Sequence, residues 1–124
     1  MIFGIGTDII EIARIEKQVT KDTGFISRVF TPDEINCCDG KKNRSEKFAA
    51  RFAAKEAFMK ALGTGWRDGI AFTDIEIIND ELGKPKINLN GHAKKLAESN
   101  GIDSIHVSLS HTDKLATAVV ILEK

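Results

Sequence analysis

The chain has 124 residues, 42% hydrophobic and 29% charged, and its 18 basic and 18 acidic side chains cancel to no net formal charge at pH 7. That length suits one domain over residues 1–124 with a real core, and the balanced charge argues against nucleic acid or an anionic membrane as partner. No apolar run approaches the ~20 residues that cross a bilayer, and Met1-Ile2-Phe3-Gly4 lacks the basic start of a secretory signal.

Ile2 to Thr7 reads as a short strand in which Gly4 and Gly6 permit close backbone approach. Asp8 then precedes a helical pattern of Ile12, Ile15 and Val19, with Glu11 at capping-box spacing, so Asp8 is either a helix cap or something more. Thr31-Pro32-Asp33-Glu34 opens a second helix, with Thr as cap, Pro first and Glu third. The adjacent Cys37 and Cys38 cannot staple a fold together, which points to reduced thiols in a cytoplasmic helix with no catalytic role. Lys41 to Asn43 forms a loop. Ser45 caps a long helix that runs to Leu62 and stops at Gly63-Thr64-Gly65.

The second half reads differently. Asp74 to Ile78 and Lys86 to Leu89 are strands joined by a turn rich in Asn, Asp and Gly. Asn90 caps a helix to about Glu98, closed by Gly101. Ser104 to Ser110 alternates strictly, His111 to Lys114 turns the chain, and Leu115 to Leu122 is a last strand. Helices early and antiparallel strands late give an α+β class: an N-terminal strand and helices, a long central helix, and a C-terminal antiparallel sheet. Both faces of the last strand are largely apolar, which predicts a symmetric oligomer.

The long helix carries the chemistry. On a helical wheel Lys47, Arg51 and Lys55 share one stripe, read as a solvated edge. Glu56 and Lys60 lie roughly opposite, flanked by Phe48, Phe52 and Met59 on one side and Ala53, Ala57 and Ala61 on the other. A carboxylate and an ammonium walled by apolar side chains are costly to desolvate, so they are either an intrahelical ion pair at a seam or part of a site. Basic residues outnumber acidic ones from Lys41 to Lys60, which suggests a local anion site. No zinc-ligand spacing, dinucleotide fingerprint, P-loop or nucleophile elbow is present. What remains is Asp8 and Glu56 as hard oxygen ligands, with Lys60, Lys55, Arg51, Lys42 and a late His111. That set describes Mg²⁺ held partly by protein and partly by substrate phosphates.

Gly4-Ile5-Gly6-Thr7-Asp8-Ile9, then Arg51-Phe52-Ala53-Ala54-Lys55-Glu56-Ala57-Phe58 with Lys60 and Gly63-Thr64-Gly65, resembles the small 4′-phosphopantetheinyl transferases, the holo-acyl-carrier-protein synthases of bacteria. Gly83-Lys84-Pro85 and His106-Val107-Ser108-Leu109-Ser110-His111 fit the same pattern, in the same order, over nearly the whole chain. The resemblance implies that family's fold and Mg²⁺-dependent transfer of phosphopantetheine from coenzyme A to a serine of an acyl carrier protein, for fatty acid biosynthesis. It implies Asp8 and Glu56 as metal ligands, with Glu56 and Lys60 as the catalytic pair. Lys42, Asn43, Arg51 and His111 would contact nucleotide phosphates, with Gly63 nearby, and Gly83, Lys84 and Pro85 would lie against the adenine. It further implies a homotrimer with sites between subunits, and a basic face of Arg14, Lys17, Lys21 and Arg28 toward the acidic carrier. Two departures stand out: Lys47 occupies a place where related sequences tend to be apolar, and positions 17 and 21 carry lysine where relatives often carry arginine. A non-catalytic nucleotide-binding module and a Mg²⁺-dependent pyrophosphohydrolase are the rival readings.

Overall fold

The computed structural model describes residues 1–64 and 69–124. Its elements are β1 (Ile2–Glu11), α1 (Ile12–Lys21), α2 (Phe25–Val29), α3 (Pro32–Cys38), α4 (Arg44–Leu62), β2 (Ile75–Asn79), β3 (Pro85–Leu89), α5 (Gly91–Ser99), β4 (Ser104–His111) and β5 (Leu115–Glu123), with a 3-10 turn at Phe72–Asp74. The α+β class holds. Strands β1, β5 and β4 form an antiparallel sheet in that order, and β2 and β3 form a separate hairpin. Among the described residues no helix is long and apolar enough to cross a membrane.

The core lies between the three-stranded sheet and α4. Ala116, Ala118, Val120 and Leu122 of β5 point inward and meet a helix buried on most of its circumference, including Ala53, Ala57, Phe58 and Ala61. That buried surface includes Arg51 and Lys55 as well as apolar side chains, because other elements cover α4 on several sides and put it in the middle of the fold. The glycines of β1 set how closely it is approached. A Cβ added to Gly4 would lie 1.9 Å from the Ala61 carbonyl oxygen, and one added to Gly6 would lie 1.9 Å from that of Ala57. Strand and helix therefore touch backbone to backbone, as the glycine spacing suggested.

The strand also runs further than the sequence indicated. Asp8 is not a helix cap: it lies within β1 opposite Ala118, and α1 starts after Glu11, which makes no side-chain cap bond. Pairing with β5 along the whole of β1 outweighs the local capping signal, because each added residue gains cross-strand bonds and buries alternate side chains. Helix α4 begins at Arg44 after Asn43, without a side-chain cap, so Ser45 is not its cap. Helix α2 and the 3-10 turn are additions that the pattern did not reveal. By contrast, the capping box of α3 is present: the Glu34 N–H donates to Thr31 Oγ1, and the Thr31 N–H donates to Glu34 Oε1. Cys37 and Cys38 are both free, and burial pushes the Cys38 thiol up to about 11, which keeps it protonated.

One expectation is reversed. Arg51 and Lys55 do not form a solvated edge: Arg51 is 3% exposed and Lys55 fully buried. Lys55 Nζ donates to Glu34 Oε1 at 2.7 Å and to the carbonyls of Phe72 and Ile75. Glu34, also fully buried, accepts from the Ile77 N–H through its other oxygen, while Arg51 Nε donates to the Ile77 carbonyl. The helical wheel failed because α3 and β2 cover that stripe, and the same glutamate that closes the α3 capping box receives the lysine. Burial pulls the Lys55 ammonium below the ordinary lysine range, opposed chiefly by Glu34.

Breaking a buried pair from one side leaves an uncompensated charge, at a cost of about 3–5 kcal/mol. Lys55→Met should lower the unfolding free energy by that order, read by urea denaturation. Combining it with Glu34→Gln should restore part of the loss, because the stranded carboxylate is gone. A double variant no more stable than Lys55→Met would assign the effect to the Phe72 and Ile75 carbonyls instead.

Candidate functional site

Alternation along β1 places Asp8 on the same side as Gly6 and Ile10, the side that faces α4. Because the glycines let β1 lie directly on the helix, Asp8 arrives beside the last turns of α4. Lys60 Nζ donates to Asp8 Oδ1 at 3.0 Å and to the Thr7 carbonyl at 2.9 Å. The intrahelical Glu56–Lys60 ion pair is therefore replaced by a bond from helix to strand. Glu56, half-buried, has no hydrogen-bond partner among the described residues. Burial raises its pKa first and the negative charge of Asp8 raises it further, while Lys60 pulls the other way.

The result is two carboxylates of like charge held close, with a single ammonium bonded to one of them. Such a donor set fits a hard divalent cation, since oxygen ligands without a third protein carboxylate leave positions for water and substrate oxygens. Among the described residues no group of three or more His, Cys, Asp or Glu converges on one metal position.

A second feature lies elsewhere on α4. Its first turns, the β2–β3 turn and the end of β4 enclose a cavity of about 430 Å³, lined by Asn43, Glu46, Lys47, Arg51, Gly83, Lys84, Pro85, Ser108 and His111 among others. The structure thus gathers Arg51, Gly83, Lys84, Pro85 and His111, five of the residues singled out from sequence, in one place. Arg51 is anchored by Nε to Ile77, and its Nη2 is buried without a partner among the described residues. Arg51, Lys47, Lys84 and His111 line this one cavity, and the occupant that such a set of basic groups fits is an anion such as a phosphate. His111 Nε2 stands 3.4 Å from Glu46 Oε2.

Two expected members are not brought in. Lys42 is exposed in the loop before α4 and does not line the cavity. Gly63 ends α4 in the left-handed region at φ 86°, where it terminates the helix rather than touching the cavity. Gly65, the last residue of the stop motif, lies outside the described residues. Asn43, expected at the nucleotide phosphates, does line the cavity; Lys47 and Asn79 line it without having been assigned there, though Lys47 stands one turn before Arg51, a spacing that signals a shared face. The cavity and the shallow opening over Asp8 and Lys60 share no lining residue. Within one chain, the carboxylate cluster and the basic cavity are separate.

A third surface lies along α1. Arg14, Lys17 and Lys21 rim a groove whose floor is built from Ile10, Ile15, Phe25 and Phe52. Arg28, exposed on α2, does not line it.

A carboxylate whose folded pKa lies above its unfolded value costs stability at pH values above both, and the cost vanishes below both. Glu56→Gln should therefore raise the melting temperature of the metal-free protein at pH 7. The gain should shrink as pH falls through the raised pKa of Glu56, read by differential scanning calorimetry from pH 7 to 4.

Comparison with known proteins places this geometry. The model of a family described as the 4′-phosphopantetheinyl transferase superfamily matches residues 4–120. A protein of Geotalea daltonii named holo-[acyl-carrier-protein] synthase is 49% identical over 125 residues, covering all of both chains. The crystal structure of holo-[acyl-carrier-protein] synthase from Neisseria meningitidis is 39% identical and superposes with a TM-score of 0.91 over 100% of both chains. That of the Helicobacter pylori enzyme in complex with coenzyme A is 38% identical, with a TM-score of 0.84 over 96% of this chain and 99% of the other.

Proposed function

The chain belongs to the 4′-phosphopantetheinyl transferase superfamily, and from that premise we propose that it transfers 4′-phosphopantetheine from coenzyme A to a serine of apo-acyl carrier protein. Adenosine 3′,5′-bisphosphate leaves, and the holo-carrier serves fatty acid biosynthesis in the cytoplasm. The observation that carries the reading is the Asp8–Glu56–Lys60 cluster, set on the same helix as a basic cavity with an unpartnered Arg51 Nη2.

In this reading Arg51, Lys47, Lys84 and His111 receive the nucleotide phosphates, and the Gly83-Lys84-Pro85 turn lies against the adenine. Asp8 and Glu56 would hold Mg²⁺, which when bound supplies charge stabilisation at the pyrophosphate. The Lys60 ammonium neutralises charge gathering on the phosphate oxygens or protonates the departing oxygen. Attack by a serine hydroxyl on a pyrophosphate needs positioning and electrostatics more than a protein nucleophile, which agrees with the lack of any activated Ser or Cys among the residues assembled here.

The separation of cluster and cavity within one chain supports a shared site, with the cavity of one protomer facing the cluster of the next in a homotrimer. The outer face of the sheet supports assembly as well: Ile5, Ile9 and Val119 stand 58%, 61% and 39% exposed beside one another on β1 and β5. A cluster of exposed aliphatic side chains on a regular sheet is the kind of surface that copies of a chain bury together. The α1 groove, basic at the rim and apolar on the floor, fits an acidic carrier helix with an apolar face.

Incubation with coenzyme A, Mg²⁺ and apo-carrier, read by intact mass, should show the carrier gaining one phosphopantetheinyl group, and chelation should abolish the gain. Cleavage of coenzyme A with no carrier modification would identify a pyrophosphohydrolase instead, and binding without turnover a nucleotide-binding module. Asp8→Asn should lose orders of magnitude in rate, the several kcal/mol of lost metal stabilisation, while retaining its circular dichroism.

Arg14→Glu with Lys17→Glu should raise the apparent KM for carrier strongly and leave that for coenzyme A nearly unchanged. The carrier KM of the unmodified protein should rise with salt between roughly 0.05 and 0.5 M, where the Debye length falls about threefold. A carrier KM insensitive to both would remove α1 as the docking face.

A further inference from the structure

We propose that Lys60 is the resident cation of the Asp8–Glu56 site, a built-in competitor that an incoming divalent cation displaces, so that metal binding is what frees the ammonium to act. The inference rests on the reading of Asp8 and Glu56 as metal ligands. Its basis is the way Lys60 is held. The side chain is 55% exposed, so nothing but its own bonds keeps it off solvent, yet it is folded back onto β1. Two of its three N–H donors are taken, one by Asp8 Oδ1 and one by the Thr7 carbonyl.

Only one carboxylate is served by this arrangement. Asp8 is 16% exposed and bonded to the ammonium, whereas Glu56, one turn before Lys60 on α4, accepts no hydrogen bond among the described residues and feels the charge of Asp8. Among the described residues, one positive charge against two negative ones leaves the cluster a charge short, which a divalent cation corrects and a monovalent ammonium does not. The two cations cannot share Asp8 without repelling each other. The ammonium is the weaker holder: its second partner is a neutral backbone carbonyl, and its flexible, largely exposed stem lets it swing away.

Metal binding and Lys60 release are then one event. Without metal, Lys60 moderates the repulsion between Asp8 and Glu56 and is unavailable to a phosphate. With metal, the same ammonium is expelled from Asp8 beside the ion, where a phosphate oxygen can receive it. Linkage requires the converse too: removing the ammonium must tighten the metal.

The test is titration of the full-length protein with Mn²⁺ alone, followed by electron paramagnetic resonance of the free ion at low salt, for the unmodified protein, Lys60→Met and Lys60→Arg. Lys60→Met should bind Mn²⁺ about two- to fivefold more tightly, the range set by a partly exposed ion pair, while Lys60→Arg should stay close to the unmodified protein, since it keeps the charge. Metal-free Lys60→Met should melt below the unmodified protein, and saturating Mn²⁺ should close the gap. Asp8→Asn with Glu56→Gln should bind no Mn²⁺, which locates the ion. If Lys60→Met does not fold, Lys60→Gln is measured in its place. Equal or weaker binding in the lysine-free variant overturns the proposal and leaves the metal site standing. No binding in any of the proteins overturns the metal reading, and the proposal with it.

Discussion

A glutamate and a lysine buried together, Glu34 and Lys55, hold the parts of this molecule in relation to one another. Glu34 closes the N-terminus of α3 and receives the N–H of Ile77, and Lys55 reaches from α4 to the carbonyls at the entry to β2. Three elements distant in sequence are thus tied at one point in the interior. Charged groups out of water are expensive, and nearly every donor and acceptor here has a partner, which makes the network compatible with a buried position. Its effect is positional. With β2 fixed to α4, the hairpin turn that carries Gly83, Lys84 and Pro85 stands across from Arg51, and the cavity acquires its third wall.

Much of this was legible in the chain. The Thr31-Pro32-Asp33-Glu34 cap, the glycines of β1 and the alternation of β4 each carry their own physical signature, and each appears as its residues dictate. Asp8, Glu56 and Lys60 were also marked, by charge set among apolar neighbours, and the fold brings them together. The failures share one cause. Local rules offered a cap as one reading of Asp8 and an intrahelical pair as one reading of Glu56 and Lys60, and put Lys55 and Arg51 in solvent, because a helical wheel knows nothing of what packs against it. Whether a lysine on α4 is a solvated edge or the centre of the interior depends on α3 and β2, and those contacts are non-local. The division of the site into a carboxylate cluster and a separate cavity was likewise invisible, because it depends on which strand ends share a face.

The carboxylate cluster and the basic cavity place opposite demands on α4. Its first half presents unpaired positive charge, with Arg51 Nη2 left without an acceptor. Its last turns present surplus negative charge, with Glu56 held near Asp8. Both arrangements lower the stability of the protein, and in the proposed function both would be relieved by ligands of the opposite sign. Stability given up in this way would reappear as affinity, since groups already fixed and desolvated need no further reorganisation. An inert helix would place Ala or Leu at these positions.

The pairing of β1 with β5 has a consequence for how the protein is made. Asp8 is positioned by a strand whose sheet partner, Leu115–Glu123, comes about 100 residues later. At usual elongation rates of about 5–20 residues per second, β1 leaves the ribosome roughly 5–20 s before its partner does. During that interval the strand has a free edge and exposes Ile5 and Ile9, while α4 can form but lacks the strand that packs on Ala57 and Ala61. The carboxylate cluster therefore cannot assemble until β5 has emerged. A chain cut short of Leu115 has no strand to hold Asp8 against α4, and so no cluster.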